Sequence, residues 1–328
     1  VLNGGAGRDT LSYSSDSMGV SVSLATGAAT GGDAAGDSFT GFENVAGGDG
    51  SDALVGDDGD NHLSGGGGAD TLSGGAGRDT LEGGAGGDIL NGGTGIDLAS
   101  FAGAISGASV NLGTGAVAGS AAGDSFTSIE GLIGSALDDA LTGDANDNLI
   151  EGGDGADTLA GGDGVDTLSY ASSDTRVVVD LLNGNTFLGH AEGDVITGFE
   201  NLTGSRLPDY LLGSNDDNVL SGGRGVDRLE ARGGNDTLIG GAQDDNLKGG
   251  AGADVFVLAP GDGYDRIVDW EDGLDRIDLA AFSLDWADIS AASAQLPIGA
   301  IRIDLGSGNA FQINAFDLDD FDPGDVIL

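Results

Sequence analysis

Residues 47–100 read GGDGSDALV, GDDGDNHLS, GGGGADTLS, GGAGRDTLE, GGAGGDILN, GGTGIDLAS, one nine-residue unit written six times. Each unit joins a glycine-rich hexad ending on Asp or Asn to three residues whose middle member is apolar or small: Leu54, Leu63, Leu72, Leu81, Leu90 and Ala99. A sharp turn followed by a very short strand fits that pattern, because glycine supplies the positive φ that a tight turn requires. One apolar side chain per nine residues cannot be buried by its own unit. The units must therefore stack, and stacking at a short fixed period makes a solenoid.

The turns also suggest chemistry. Glycines allow close backbone approach and leave carbonyl oxygens free to point at a common centre, while the sixth-position Asp adds a hard, charged oxygen. Oxygen-only ligation favours calcium over softer metals. Composition agrees: 55 acidic against 11 basic residues give a formal charge of −44, a load that disfavours a compact state unless cations neutralise it. With 66 glycines in 328 residues, 5% aromatics and no cysteine, the chain lacks the makings of a layered globule, and no disulfide can supply the missing stability. One small apolar residue per nine cannot offset backbone ordering at roughly 1–2 kcal/mol per residue, so the metal-free chain is expected to be disordered. So acidic a surface is a poor partner for nucleic acid. No apolar run approaches the roughly 18 residues of a membrane-spanning helix.

Working outward, the same unit recurs at residues 4–12 (GGAGRDTLS), preceded by Val1-Leu2-Asn3, which reads as the strand third of a preceding unit. A second array follows at residues 134–169 and a third at 204–257. The intervening segments, 13–46, 101–133 and 170–203, resemble one another: each has an alternating stretch such as GVSVSL or RVVVDL and then a GD marker, placed 31–32 residues after the last unit begins. Alternation with period 2 argues short strands. These segments are expected either to continue the solenoid as longer, less regular rungs or to form loops along one flank. Residues 258–328 differ, with both tryptophans, Trp270 and Trp286. Within them LDWADISAASAQ is expected to form one short helix, and AIRIDL and NAFQINAF a hairpin turning at GSGN. This stretch is read as the cap that buries the last open rung.

The arrays match GGxGxDxUx, and on these residues the chain resembles the RTX (repeats-in-toxin, hemolysin-type) calcium-binding family. The resemblance implies an all-β fold, a right-handed parallel β-roll in which two nonapeptides make one turn of the coil. Units n and n+2 then share an ion, and sixth-position residues pair at a separation of eighteen. Ten such pairs occur: Asp52 with Asp70, Asn61 with Asp79, Asp70 with Asp88, Asp79 with Asp97, Asp139 with Asp157, Asn148 with Asp166, Asp209 with Asp227, Asn218 with Asp236, Asp227 with Asp245 and Asp236 with Asp254. Asn61, Asn148 and Asn218, each in the second unit of its array, would ligate through an uncharged amide oxygen and bind more weakly. Ser135 and Leu137, and Ser205 and Leu207, stand where the motif has glycine and put those turns in doubt. Asp9, Asp262, Asp265 and Asp275 read either as ligands or as solvated turn carboxylates.

The family resemblance further implies a secreted, extracellular protein, unfolded at low calcium and folding on calcium binding, exported by a type I secretion exporter. The closing Asp325-Val326-Ile327-Leu328 is similar to the C-terminal signals of such proteins. The competing expectation is a polysaccharide-binding or adhesive surface module, like the repeat modules of alginate epimerases. Arg176, Arg206, Arg224, Arg228 and Arg232 either serve such a face or pair with neighbouring aspartates. Catalysis is not expected in this chain: His62 and His190 lie outside any HExxH, and there is neither a GxSxG elbow nor a cysteine nucleophile.

Overall fold

The computed structural model describes residues 1–297, 299–314 and 318–328. Two compact units divide the chain, residues 1–164 and 165–328.

In the first unit the array strands form two parallel ladders, because consecutive nonapeptides alternate between them. One ladder runs Thr10–Ser12, Asn44–Ala46, His62–Gly67, Thr80–Ala85, Leu98–Ser100, Gly131–Ile133 and Leu149–Glu151. Opposite it, Ser21–Ser23, Ala53–Val55, Thr71–Gly77, Ile89–Gly95 and Ser125–Thr127 stack in the same sense. Ala108–Asn111, Ala140–Thr142 and Thr158–Ala160 form a further parallel run. The register is eighteen residues throughout the array, with Leu54 opposite Leu72 and Leu63 opposite Leu81. Alternation points the middle residue of each short strand inward, so Leu54, Leu63, Leu72 and Leu81 are fully enclosed and stack along the coil. Burying one leucine stabilises by about 1.5–3 kcal/mol.

Each irregular segment places a strand on a ladder and then doubles back. Ser21–Ser23 pairs in parallel with Ala53–Val55 and antiparallel with Ala28–Thr30. Ala108–Asn111 does the same between Ala140–Thr142 and Ala116–Gly119.

The second unit repeats the plan. One ladder comprises Thr167–Ser169, Asn201–Thr203, Val219–Arg224, Thr237–Ala242, Val255–Val257, Arg276–Asp278 and Val326–Ile327. Its partner comprises Val178–Asp180, Tyr210–Leu212, Arg228–Gly233, Asn246–Ala251, Tyr264–Ile267 and Asn309–Asn314, all parallel. There the direction reverses: Ala300–Gly306 lies antiparallel on Asn309–Asn314, and Ser293–Leu296 antiparallel on that. This is the expected hairpin, turning through Ser307 at φ +53; Ala315 and Phe316, at the end of its second arm, lie outside the described residues. The expected helix is Trp286–Ala292, started by a capping box in which the Asp285 carboxylate accepts the Asp288 N–H. Ile301, Ile303, Phe311 and Ile313 are buried within this closing element.

Candidate metal centre

The eighteen-residue ladder brings sixth-position residues of successive rungs into direct contact. In nine of the ten expected pairs the backbone N–H of the earlier residue donates to Oδ1 of the later one, at 2.7–2.9 Å: 52 to 70, 61 to 79, 70 to 88, 79 to 97, 139 to 157, 209 to 227, 218 to 236, 227 to 245 and 236 to 254. The members of the tenth, Asn148 and Asp166, belong to different units. All sixteen predicted residues are buried, each at most 4% exposed. Burial of so many carboxylates is costly unless their second oxygens are also satisfied.

On that criterion the turns divide into two kinds. In the first kind the turn is closed by its own backbone. The Gly48 N–H donates to Asp52 Oδ2 at 2.8 Å, and the Ser135 and Ser205 N–H and hydroxyl groups donate to Asp139 and Asp209. Asn61, Asn148 and Asn218 take the position-2 N–H of Asp57, Asp144 and Ser214 on Oδ1, at 2.6–2.7 Å. Their amide nitrogens donate to the Glu43, Glu130 and Glu200 carbonyls. An aspartate could not make that second bond, which gives the asparagines a structural use independent of any ion.

In the second kind the turn is open. Oδ2 of Asp70, Asp79, Asp88, Asp97, Asp227, Asp236, Asp245 and Asp254 is buried and has no hydrogen-bond partner among the described residues. The cause lies at position 2. In every open turn that residue has positive φ: +97 to +120 at Gly66, Gly75, Gly84 and Gly93, and +84 to +107 at Gly223, Arg232, Gly241 and Gly250. Rotation there swings the position-2 N–H off the carboxylate. None of the closed turns has a positive φ at position 2. Asp157 carries the open backbone signature, with Gly153 at φ +96.

Position 1 forms the floor of the cradle. A Cβ built on Gly65 would stand 2.2 Å from Asp70 Oδ2 and 2.6 Å from the Gly83 carbonyl oxygen; on Gly222 it would stand 2.4 Å from Asp227 Oδ2 and 2.6 Å from the Gly240 carbonyl oxygen. The turns of Asp70, Asp79, Asp97 and Asp227 thus set a buried carboxylate oxygen and a backbone carbonyl of the next rung against one bare Cα, at Gly65, Gly74, Gly92 and Gly222. Burial pushes Asp79 up to about 6, Asp70, Asp227 and Asp236 to about 7 and Asp245 to about 8, against the opposing hydrogen bond from the preceding rung. Asp88, Asp97 and Asp254 shift the same way, as does Asp209 in a closed turn. Among the described residues no three Asp, Glu, His or Cys side chains converge on one point. A cation here would be held by one or two carboxylates completed by backbone carbonyls, an all-oxygen donor set suited to calcium.

The motif does not name every residue of the ladder. Where a segment interrupts an array, a glutamate replaces the missing sixth-position carboxylate: Glu43, Glu130 and Glu200 accept the Asp9, Asp97 and Asp166 N–H groups at 2.8–2.9 Å through Oε2. Asp124 does the same for Asp88. The only trace in the sequence is an acidic residue at matching places in GFENV, SIEGL and GFENL. Two of the clustered arginines are paired: Arg232 grips Asp180 through both terminal nitrogens at 2.7 and 2.8 Å and also donates to the Gly213 carbonyl, and Arg228 pairs with Glu230.

Stacked parallel rungs with oxygen-lined turns define a cation-binding β-solenoid. The model of the RTX calcium-binding nonapeptide repeat, in four copies, matches residues 1–16, 38–72, 46–81, 64–99, 133–168, 196–229, 203–238 and 230–265. These matches cover more than half of the chain, and the chain belongs to that family. No curated protein matches it. Among solved structures, the extracellular lipase LipA from Serratia marcescens is similar at 17% identity, with 85% of this chain and 40% of the lipase chain covered and a TM-score of 0.36. The chain thus spans about two fifths of that protein's length. Among the described residues no helix is long and apolar enough to cross a membrane.

Proposed function

We propose that this chain is the calcium-responsive folding region of a secreted protein, disordered where calcium is scarce and folded outside the cell. The observation that carries the reading is the column of buried Oδ2 atoms in the open turns. These eight carboxylates, whose Oδ2 has no hydrogen-bond partner among the described residues, are a liability in the metal-free fold. Calcium, when bound, supplies positive charge to those oxygens, and its binding free energy becomes folding free energy. The ligands we assign are Asp70, Asp79, Asp88, Asp97, Asp227, Asp236, Asp245 and Asp254, with backbone carbonyls of their turns. The closed turns, at Asp52, Asn61, Asp139, Asn148, Asp209 and Asn218, hold shape without an ion. Export through a type I exporter fits this scheme. Residues 325–328 would be read as a signal before folding, since Val326–Ile327 becomes a rung once the unit has formed. On this reading the chain supports folding of a passenger and carries no catalysis of its own.

The test is far-UV circular dichroism of the chain during a calcium titration, with magnesium as control. A cooperative coil-to-β transition at about 10⁻⁴ to 10⁻³ M calcium, the range of extracellular modules, is expected, with no response to magnesium. A spectrum already rich in β structure in chelator sinks the proposal.

One observation favours a second reading, a surface that binds acidic polysaccharide. Register in the second unit aligns Tyr210, Arg228, Asn246, Arg266, Gln312 and Arg302 in one row across neighbouring strands, an order the sequence conceals. Retention on an acidic-glycan column in calcium, lost on Arg266→Ala, would support it.

A further inference from the structure

Each of the segments 13–46, 101–133 and 170–203 leaves its ladder through a short loop and comes back through a turn with a glycine at positive φ, Gly31, Gly119 or Gly189. In the first segment the Asp16 carboxylate ties the loop to the turn. Its Oδ1 accepts the Met18 and Gly19 N–H groups at 2.6 and 3.1 Å, and its Oδ2 accepts the Asp33 N–H. In the third, the Ser173 hydroxyl donates to the Thr175 carbonyl at 2.7 Å and accepts the His190 N–H at 3.3 Å. Tyrosine hydroxyls add a second tie, from Tyr13 to Asp37 Oδ2 at 3.1 Å and from Tyr170 to Asp194 Oδ2 at 2.8 Å. The middle segment has neither side chain. Set against YSSDSM at 13–18 and YASSDT at 170–175, FAGAIS at 101–106 puts Phe101 where the tyrosines stand and Ala104 where Asp16 and Ser173 stand.

Beside this untied loop lies a groove of about 450 Å³. Its floor is the outer face of the ladder, where Ser64 and Glu82 are neighbours in register. Phe101, Ala104 and Ile105 of the loop and Ser120 of the returning turn form its walls. The Ser120 N–H donates to the Gly107 carbonyl at 3.1 Å, but its hydroxyl is buried and has no hydrogen-bond partner among the described residues. Ile105 stands at the rim, 97% exposed. Glu82 is pinned under the loop: a Cβ built on Gly103 would stand 2.4 Å from its Oε1, and His62 Nε2 is 3.9 Å from its Oε2. No lysine or arginine is among the residues that line the groove. A carboxylate and serine hydroxyls, all able to accept hydrogen bonds, therefore face an apolar wall in a chain whose formal charge of −44 attracts cations. An ammonium group, with three donors and no acceptor, matches that set, whereas an anion would meet Glu82 unpaired. The volume lies in the range of small-molecule sites.

We propose that this groove binds a small organic cation, a primary amine on an apolar body, with the ammonium on Glu82 and the Ser120 hydroxyl and the body against Phe101, Ala104 and Ile105. The probe is 2-phenylethylamine, titrated calorimetrically into the full chain in saturating calcium, with 2-phenylethanol and maltose alongside. Glu82→Gln is expected to weaken amine binding by about tenfold or more, because it removes a charge-assisted bond. Glu151→Gln removes the same charge at the same position of a rung outside the groove, and should leave binding unchanged. Equal losses in the two variants would reduce the effect to net charge, and alcohol or maltose bound as tightly as the amine would remove the cation; either result overturns the proposal, as does an amine that does not bind. Should Glu82→Gln not fold, methyl NMR of the wild type decides. The ring of the bound amine is expected to shift the Ile105 methyl resonances, and saturation without that shift overturns the site.

Discussion

At Gly66 the backbone holds φ +101, and a Cβ there would stand 2.4 Å from the Gly48 carbonyl oxygen. Both facts follow from one requirement, that the position-2 N–H turn away from Asp70 so that its Oδ2 stays open. The neighbouring Gly67, at position 3, has neither constraint: its φ is ordinary and the nearest atom to a built Cβ is 3.6 Å away. Gly66→Ala is therefore expected to cost about 1–3 kcal/mol in saturating calcium, the range for a strained non-glycine backbone, whereas Gly67→Ala should stay within about 0.5 kcal/mol of the wild type. Urea midpoints of the two variants in calcium measure this, and equal midpoints would refute the link between positive φ and the open turn. Arg232 shows what a side chain needs at position 2. It holds φ +84 with its guanidinium clamped between Asp180 and the Gly213 carbonyl, and the clamp keeps the Asp180 carboxyl down at about 2.

At the scale of the element, the rung was legible and the turn state was not. A nine-residue period with one leucine per unit dictates stacking, and the implied separation of eighteen reappears atom for atom in the N–H to Oδ1 bonds. What the letters could not carry is a dihedral. Gly48 and Gly66 are the same residue at the same position of their units, yet Gly48 closes Asp52 and Gly66 leaves Asp70 open. The asparagines illustrate a second limit. An amide at position 6 reads equally well as a neutral ligand or as a donor, and only the nearby Glu43, Glu130 and Glu200 carbonyls disclose the donor role. Hairpins were half visible. The apolar alternation in GVSVSL marks the first arm, but the returning arms, Ala28–Thr30 and Ala116–Gly119, consist mostly of alanine, glycine and threonine and carry no strand signal of their own. Glu43, Glu130 and Glu200 matter only because those hairpins remove a rung, so the need for a longer carboxylate appears once the detour is seen.

For the whole molecule, formal charge and buried carboxylates act together, and pH exposes their coupling. Unfolded aspartates titrate near 3.9. In the fold, burial raises Asp79 to about 6, Asp70, Asp227 and Asp236 to about 7, and Asp245 and Asp265 to about 8. Each folded value lies above the unfolded one, so the metal-free fold holds more protons than the unfolded chain between those limits. The stability these groups contribute is complete below about pH 4 and is lost as pH rises through 6 to 8. In chelator the chain should therefore gain β structure on acidification from pH 8 to 5, as protons take the place of the missing cations. Calcium requires the deprotonated carboxylates, so the two ligands compete. That competition lowers the affinity of the fold for calcium, but both ligands bind the fold and neither binds the ionised unfolded chain, so acidification from pH 8 to 6 should leave unchanged or lower the calcium concentration at which β structure appears. Circular dichroism titrations at pH 8, 7 and 6 test both arms. A midpoint that rises on acidification would mean that the buried carboxylates are not held above their unfolded value in the fold, and a chelated chain equally disordered at pH 8 and 5 would mean that protons cannot stand in for calcium.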